Sequence, residues 1–257
     1  MTDFPTPSRD RGRHAFHTTR WSLVAAAGDR GDLSSESVRR ALSDLCADYW
    51  YPLYAYVRRR GYGHEDAGDL TQAFFAKLLA KHDLAAADPT RGRFRSFLLS
   101  SLKNFLAGAW RHRNAEKRGG AFELTALDFD AAEEAYRLEP REGLDPESLY
   151  HRRWALGMLA RTAERLEDHY ESTGRSELFH ALKDGVLGGG TDAPPYPELA
   201  PRLGMSEGAL RTAASRMRTR WRLELRKLVA ETVHPTSTDP DGEVESELHA
   251  LIDAVGR

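Results

Sequence analysis

Phe94-Arg95-Ser96-Phe97-Leu98-Leu99-Ser100-Ser101-Leu102-Lys103-Asn104-Phe105-Leu106 is the stretch whose pattern decides the fold. Phe94, Phe97, Leu98, Leu102, Phe105, Leu106 and then Ala109 recur every three or four residues, which lays one apolar stripe along a helix over 94–113. Arg95, Lys103 and Asn104 fall off the stripe, and Arg111 and Arg113 extend the basic face. Phe94, Phe97 and Trp110 read as core by their spacing rather than as stacking platforms.

The same period continues outward. Val38, Leu42, Leu45 and Tyr49 predict a helix from Ser35 to about Arg60, with Pro52 as a kink or boundary. Gly61-Tyr62-Gly63 breaks the chain, and a helix follows from His64 to about Lys81. Further helices are expected from Leu149 to Tyr170, around Phe179 to Leu182, within 196–230, and from Val244 to Val255. Period-two alternation is almost absent, so the expected fold class is all-α. The expected organisation is a loose arm over 1–17, a helical domain over 18–118, an acidic linker over 119–149, a second helical domain over 150–232 and an acidic tail over 233–257.

The chain has 257 residues, 40% hydrophobic, which suits two small cores. Its net charge of −2 hides a strong local segregation. Residues 91–118 hold eight Lys/Arg against one acid, and residues 202–227 hold eight against two. Residues 121–150 hold nine acids against two Arg, and 231–257 hold seven against one. Phosphate binding depends on where cations cluster, not on their sum. One of the acidic segments could therefore mask a basic helix until an input arrives. Cys46, the only cysteine, has apolar neighbours and reads as a core thiol. No signal core or long apolar run is present, so the expected location is the cytoplasm.

The second basic helix follows a helix-turn-helix pattern. Ala200 is small where a second helix would cross, Gly204 suits a left-handed turn, and Leu210 would plug the core. Ser206 would cap the second helix, with Glu207 in its first turn. Glu207, Gly208, Arg211 and Thr212 would then face a major groove. Ser215, Arg216, Arg218 and Arg220 continue along that helix, the arginines suited to phosphates.

With these residues in view, the chain resembles bacterial RNA polymerase sigma factors of the sigma-70 family, extracytoplasmic-function type. The resemblance rests on Asp66-Ala67-Gly68-Asp69-Leu70-Thr71-Gln72-Ala73-Phe74-Phe75, on Phe94-Arg95-Ser96-Phe97-Leu98, on Arg111-His112-Arg113 and on the C-terminal helix-turn-helix, in that order. It implies that Asp66, Asp69, Leu70, Gln72 and Phe75 dock on polymerase core. It implies that Arg95, Lys103, Asn104, Arg111 and Arg113 recognise and melt a minus-ten element. It implies that Ser206, Glu207, Arg211, Thr212, Ser215, Arg216 and Arg218 read a minus-thirty-five element. Gly68, Ala73 and Ala213 depart from the acidic, Glu and Arg residues common at those positions in the family.

The implied partners are the clamp and flap regions of the polymerase core and promoter DNA, with an anti-sigma protein or a kinase as candidate regulators and no membrane. No cofactor, metal or catalytic residue is expected. The chain lacks the HExxH pattern, the Gly-rich phosphate loop and the Gly-x-Ser-x-Gly elbow, so no enzyme reading gains support. The competing reading is an autonomous helix-turn-helix regulator with an N-terminal sensor or dimerisation domain.

Overall fold

The computed structural model describes residues 49–80, 94–112, 129–139, 144–187, 193–233 and 239–256. Among these residues every regular element is a helix, as the missing period-two alternation predicts. In chain order they are α1 (49–59), α2 (His64–Ala80), α3 (Phe94–His112), α4 (Phe129–Arg137), α5 (Pro146–Ser172), α6 (Ser176–Leu187), α7 (Tyr196–Arg202), α8 (Glu207–Ala230) and α9 (Pro240–Val255). The expected arm, the helix expected before residue 49 with Cys46, the turn expected at 88–92, Arg113, Gly119-Gly120 and Gly188-Gly189-Gly190 lie outside the described residues.

Two apolar cores form. The first gathers Leu53 and Val57 of α1, Phe75 of α2, Leu98 and Leu102 of α3, Tyr150, Trp154 and Met158 of α5, Leu228 of α8, and Val244 and Leu251 of α9. Inside it the Tyr49 and Phe94 rings meet edge to face, 5.4 Å apart at 84°, a geometry worth about 1 kcal/mol beyond burial. The second core joins Leu166 and Tyr170 of α5, Phe179 and Leu182 of α6, Leu199 and Ala200 of α7, and Leu210, Ala214 and Met217 of α8. Trp221 packs against both cores.

The first core draws on residues from both sides of 119–149. The first half of α5 and the last turns of α8 belong to the first core, and their later and earlier turns respectively to the second. Both helices are long, 27 and 24 residues. A continuous apolar stripe shows which face is buried but not which neighbour each turn meets. Pro52 is buried within α1, with helical residues on both sides, so it marks no boundary.

Part of the segment read as an acidic linker is α4, held against α1 by a polar cluster. Arg58 donates from Nε to Glu133 Oε2 at 2.9 Å and from Nη2 to Glu133 Oε1 at 2.8 Å. Tyr54 donates to Glu133 Oε2 at 2.7 Å, and its hydroxyl lies 2.8 Å from His64 Nδ1. Burial alone would raise the Glu133 pKa. The Tyr54 and Arg58 hydrogen bonds outweigh it and hold the carboxyl below its ordinary range. Burial, then the Glu133 hydrogen bond, pushes the Tyr54 phenol up. One turn earlier on α1, Tyr51 donates at 2.9 Å to Oε1 of Glu139, just past the end of α4, and Arg153 pairs with the same carboxylate. Asp145 then starts α5, accepting from the backbone N–H groups of Glu147 and Ser148 at 2.9 Å each, ahead of Pro146.

Among the described residues, no helix is long and apolar enough to cross a membrane.

Candidate nucleic-acid interface

α7 and α8 meet at a tight turn with the local chemistry the sequence predicts. Gly204 sits at φ +61°, in the left-handed region that side chains resist. The Met205 N–H returns to the Ala200 carbonyl at 3.0 Å, closing the end of α7. Ser206 Oγ accepts from the Ala209 N–H at 3.2 Å and starts α8. Leu210, Ala214 and Met217 are fully buried, which fixes the rotation of α8 and turns the opposite side outward. Arg211, Thr212, Ser215 and Arg216 are exposed on that side, and Glu207 and Arg218 are half-buried.

These residues differ in readiness. Arg211 pairs with Glu207 one turn back, and its guanidinium lies 5.9 Å from the Tyr196 ring centre. Thr212 donates its hydroxyl to the Gly208 carbonyl at 3.0 Å. Arg220 contacts Glu224 at 3.1 Å and His169 Nδ1 at 3.3 Å. The turn between α5 and α6 adds Thr173 and Arg175 to a cleft shared with Ser215, Arg216 and Arg220. The sequence reading missed this contribution, because α5 shows only its apolar stripe and the turn residues carry no period.

On α3 the outcome is mixed. Asn104 is exposed at the edge of a hollow lined by Phe74, Lys77, Phe97, Ser101 and Phe105. The Lys77 ammonium stands 5.5 Å from the Phe105 ring centre. Phe94 is core, as its spacing predicts, while Phe97 and Phe105 are half-buried. Lys103 pairs with Glu147 of α5. The side chain of Arg111 lies outside the described set, as does Arg113.

Arg95 corrects the expectation of an exposed phosphate ligand. Its side chain is only 6% exposed. Nε donates to Glu247 of α9 at 2.8 Å, Nη1 lies 2.7 Å from His151 Nδ1, and the guanidinium sits 4.5 Å from the Trp154 ring centre. The reason is tertiary: an acid 152 positions away supplies the counter-charge.

The expected polymerase-docking residues share α2 but not one environment. Asp66 and Asp69 are exposed, and Leu70 and Gln72 are half-buried. Phe74 and Leu78 point into the core, as their spacing predicts. Phe75 is fully buried as well, so it supports the helix from beneath and presents nothing to a partner. Gly68 is buried and Ala73 is exposed. Asp66 borders a cleft with Tyr56, Arg60, Lys103 and Glu147, so the acidic edge of α2 adjoins Lys103 of α3.

No family model, curated protein or solved structure matches the chain.

Proposed function

We propose that this chain is a promoter-specificity subunit of bacterial RNA polymerase, a sigma factor of the extracytoplasmic-function type. The observation that carries the reading is the tight turn between α7 and α8, which suits a helix-turn-helix. A left-handed Gly204, a Ser206 cap and a fully buried Leu210 hold the first turns of α8 outward, with Arg211, Thr212, Ser215 and Arg216 exposed. That is the arrangement a helix needs to enter a major groove while its arginines meet phosphates. Arg175 and Thr173 broaden the cationic surface beside it.

Two further features support the reading. Asp66 and Asp69 stand on the outward face of a helix whose inward face is core, suited to a basic partner on the polymerase. Asn104 stands at a hollow partly walled by Phe97 and Phe105, with Lys77 close by. An unstacked base needs an apolar wall and a few hydrogen bonds, and an opened strand needs cations. The function is recognition without chemistry of its own: the helix-turn-helix reads one element, α3 engages another, and α2 joins the chain to the polymerase.

Run-off transcription with core polymerase on a promoter library tests this. New start sites that require the chain are expected. Specific duplex binding by the chain alone, with no effect on transcription by core of matched source, would instead favour the autonomous regulator.

A further inference from the structure

α9 carries five acids, Asp241, Glu243, Glu245, Glu247 and Asp253, and neither Lys nor Arg. It is anchored by Val244 and Leu251, both buried in the first core. Its acids reach the two basic helices from one side of the molecule. Glu247 holds Arg95 of α3, with both side chains nearly sealed from solvent. Asp241 contacts Arg226 of α8 at 2.9 Å, and Glu245 pairs with the same guanidinium. The Val255 carbonyl accepts from Arg152 of α5 at 3.4 Å.

We propose that α9 is an internal stand-in for nucleic acid: it occupies the face on which Arg95 and Arg226 would meet phosphates, and α9 and DNA exclude one another there. The proposal rests on the promoter-binding reading and concerns cations beyond the helix-turn-helix face, since Arg211, Ser215 and Arg216 stay exposed while Arg95 and Arg226 are held by α9. Arg95 cannot reach a phosphate while Glu247, His151 and Trp154 enclose its guanidinium. A phosphate brought to Arg226 would stand beside Asp241 and Glu245 and be repelled by them. The exclusion works in both directions, since whatever favours DNA on this face must disfavour α9 to the same extent. Each cation that α9 releases adds one phosphate contact and its counterions to the salt dependence.

The test measures affinity of the full-length chain for a short duplex of arbitrary sequence by fluorescence anisotropy across salt concentrations. The paired variant Asp241→Asn/Glu245→Gln removes only exposed acids and leaves the core untouched. It is expected to tighten binding several-fold and to steepen the log–log salt slope by about 0.9, one phosphate. Glu247→Gln is expected to do the same through Arg95. Asp253→Asn, on the same helix without a basic neighbour in these contacts, removes one acid and serves as the charge control; it should change little.

Amide hydrogen exchange gives a second reading: protection over 240–255 should fall when duplex is added to the wild type. If Glu247→Gln does not fold by circular dichroism, the exposed pair and the exchange experiment still decide. Unchanged affinity in the paired variant with unchanged exchange overturns the proposal, as does equal tightening by Asp253→Asn. Tighter duplex binding by the variants without transcription would keep the α9 proposal and remove the sigma reading. Transcription by the wild type with no gain in the variants would do the reverse.

Discussion

Arg95 and Glu247 form an ion pair at 2.8 Å that joins the first turn of α3 to the middle of the last helix, with 6% and 3% of the side chains exposed. Such a pair weakly favours folding but strongly punishes the loss of one member, because the survivor is left charged and dry. Glu247→Ala is therefore expected to destabilise the chain by about 3–5 kcal/mol. Arg95→Met/Glu247→Leu should recover most of that loss. Urea denaturation of the two single variants and the double variant measures the coupling. Additive losses would show that the pair is not the joint between these helices.

Gly204 gives a sharper local test. Its φ of +61° is strained for any other residue, yet an added Cβ would meet nothing within 4 Å. Gly204→Ala should thus lower stability by about 1–2 kcal/mol through backbone strain alone. Far-ultraviolet circular dichroism should stay native while the urea midpoint falls. A neutral effect would mean that the turn relaxes out of the left-handed region.

The cluster that fastens α4 should respond to acid. The folded-state pKa of Glu133 lies below its ordinary value, so its contribution is present above the unfolded carboxylate pKa and is lost as pH falls through the folded one. Stability should drop below about pH 4, the ordinary glutamate range. Tyr54 acts at the other end: its raised pKa gives stability that is full below about pH 10 and fades above it. Glu133→Gln should flatten the acid limb in a pH series of thermal melts and weaken the alkaline limb only in part, since burial, the larger cause of the Tyr54 shift, remains.

Substitutions on α8 should separate base reading from phosphate holding. Arg216→Ala is expected to weaken binding to all duplexes similarly and to reduce the salt slope by about 0.9. Arg211→Ala should lose about 1–3 kcal/mol on the preferred site and relax its sequence preference. Competition binding between a preferred and an arbitrary duplex distinguishes the two. Arg175→Ala should behave like Arg216→Ala, which would add the turn between α5 and α6 to the DNA-binding surface.

How much was readable in the sequence follows from the range of each interaction. The stripe of α3 is legible because Phe94, Leu98, Leu102 and Leu106 repeat on one face, and all four are buried. The turn before α8 is legible because Gly204, Ser206 and Leu210 act within a few residues of one another. α4 is only nine residues long and lies within an acidic run, and its inward side combines Ala132 and Tyr136 with charged Glu133, so the charge of the segment masks the helix. Phe75 belongs inside by helical spacing from Leu78, but the adjacent acidic pattern assigns it to a docking surface. The burial of Arg95 could not be read locally, because both the acid that pairs with it and the tryptophan beneath it come from distant helices.

The polymerase-facing role proposed for α2 can be isolated from DNA binding. Asp66→Arg/Asp69→Arg changes only exposed positions, so the fold should hold and duplex affinity should not fall, while association with core polymerase falls. Pull-down with purified core, alongside anisotropy on duplex DNA, reads both quantities.

The most direct measurement is run-off transcription from a promoter-fragment library by core polymerase of matched source, with and without this chain. The account predicts discrete start sites that appear only with the chain and are lost in Asp66→Arg/Asp69→Arg and in Arg211→Ala. An unchanged transcript set, with polymerase and chain both shown to be folded and active in binding, would contradict it.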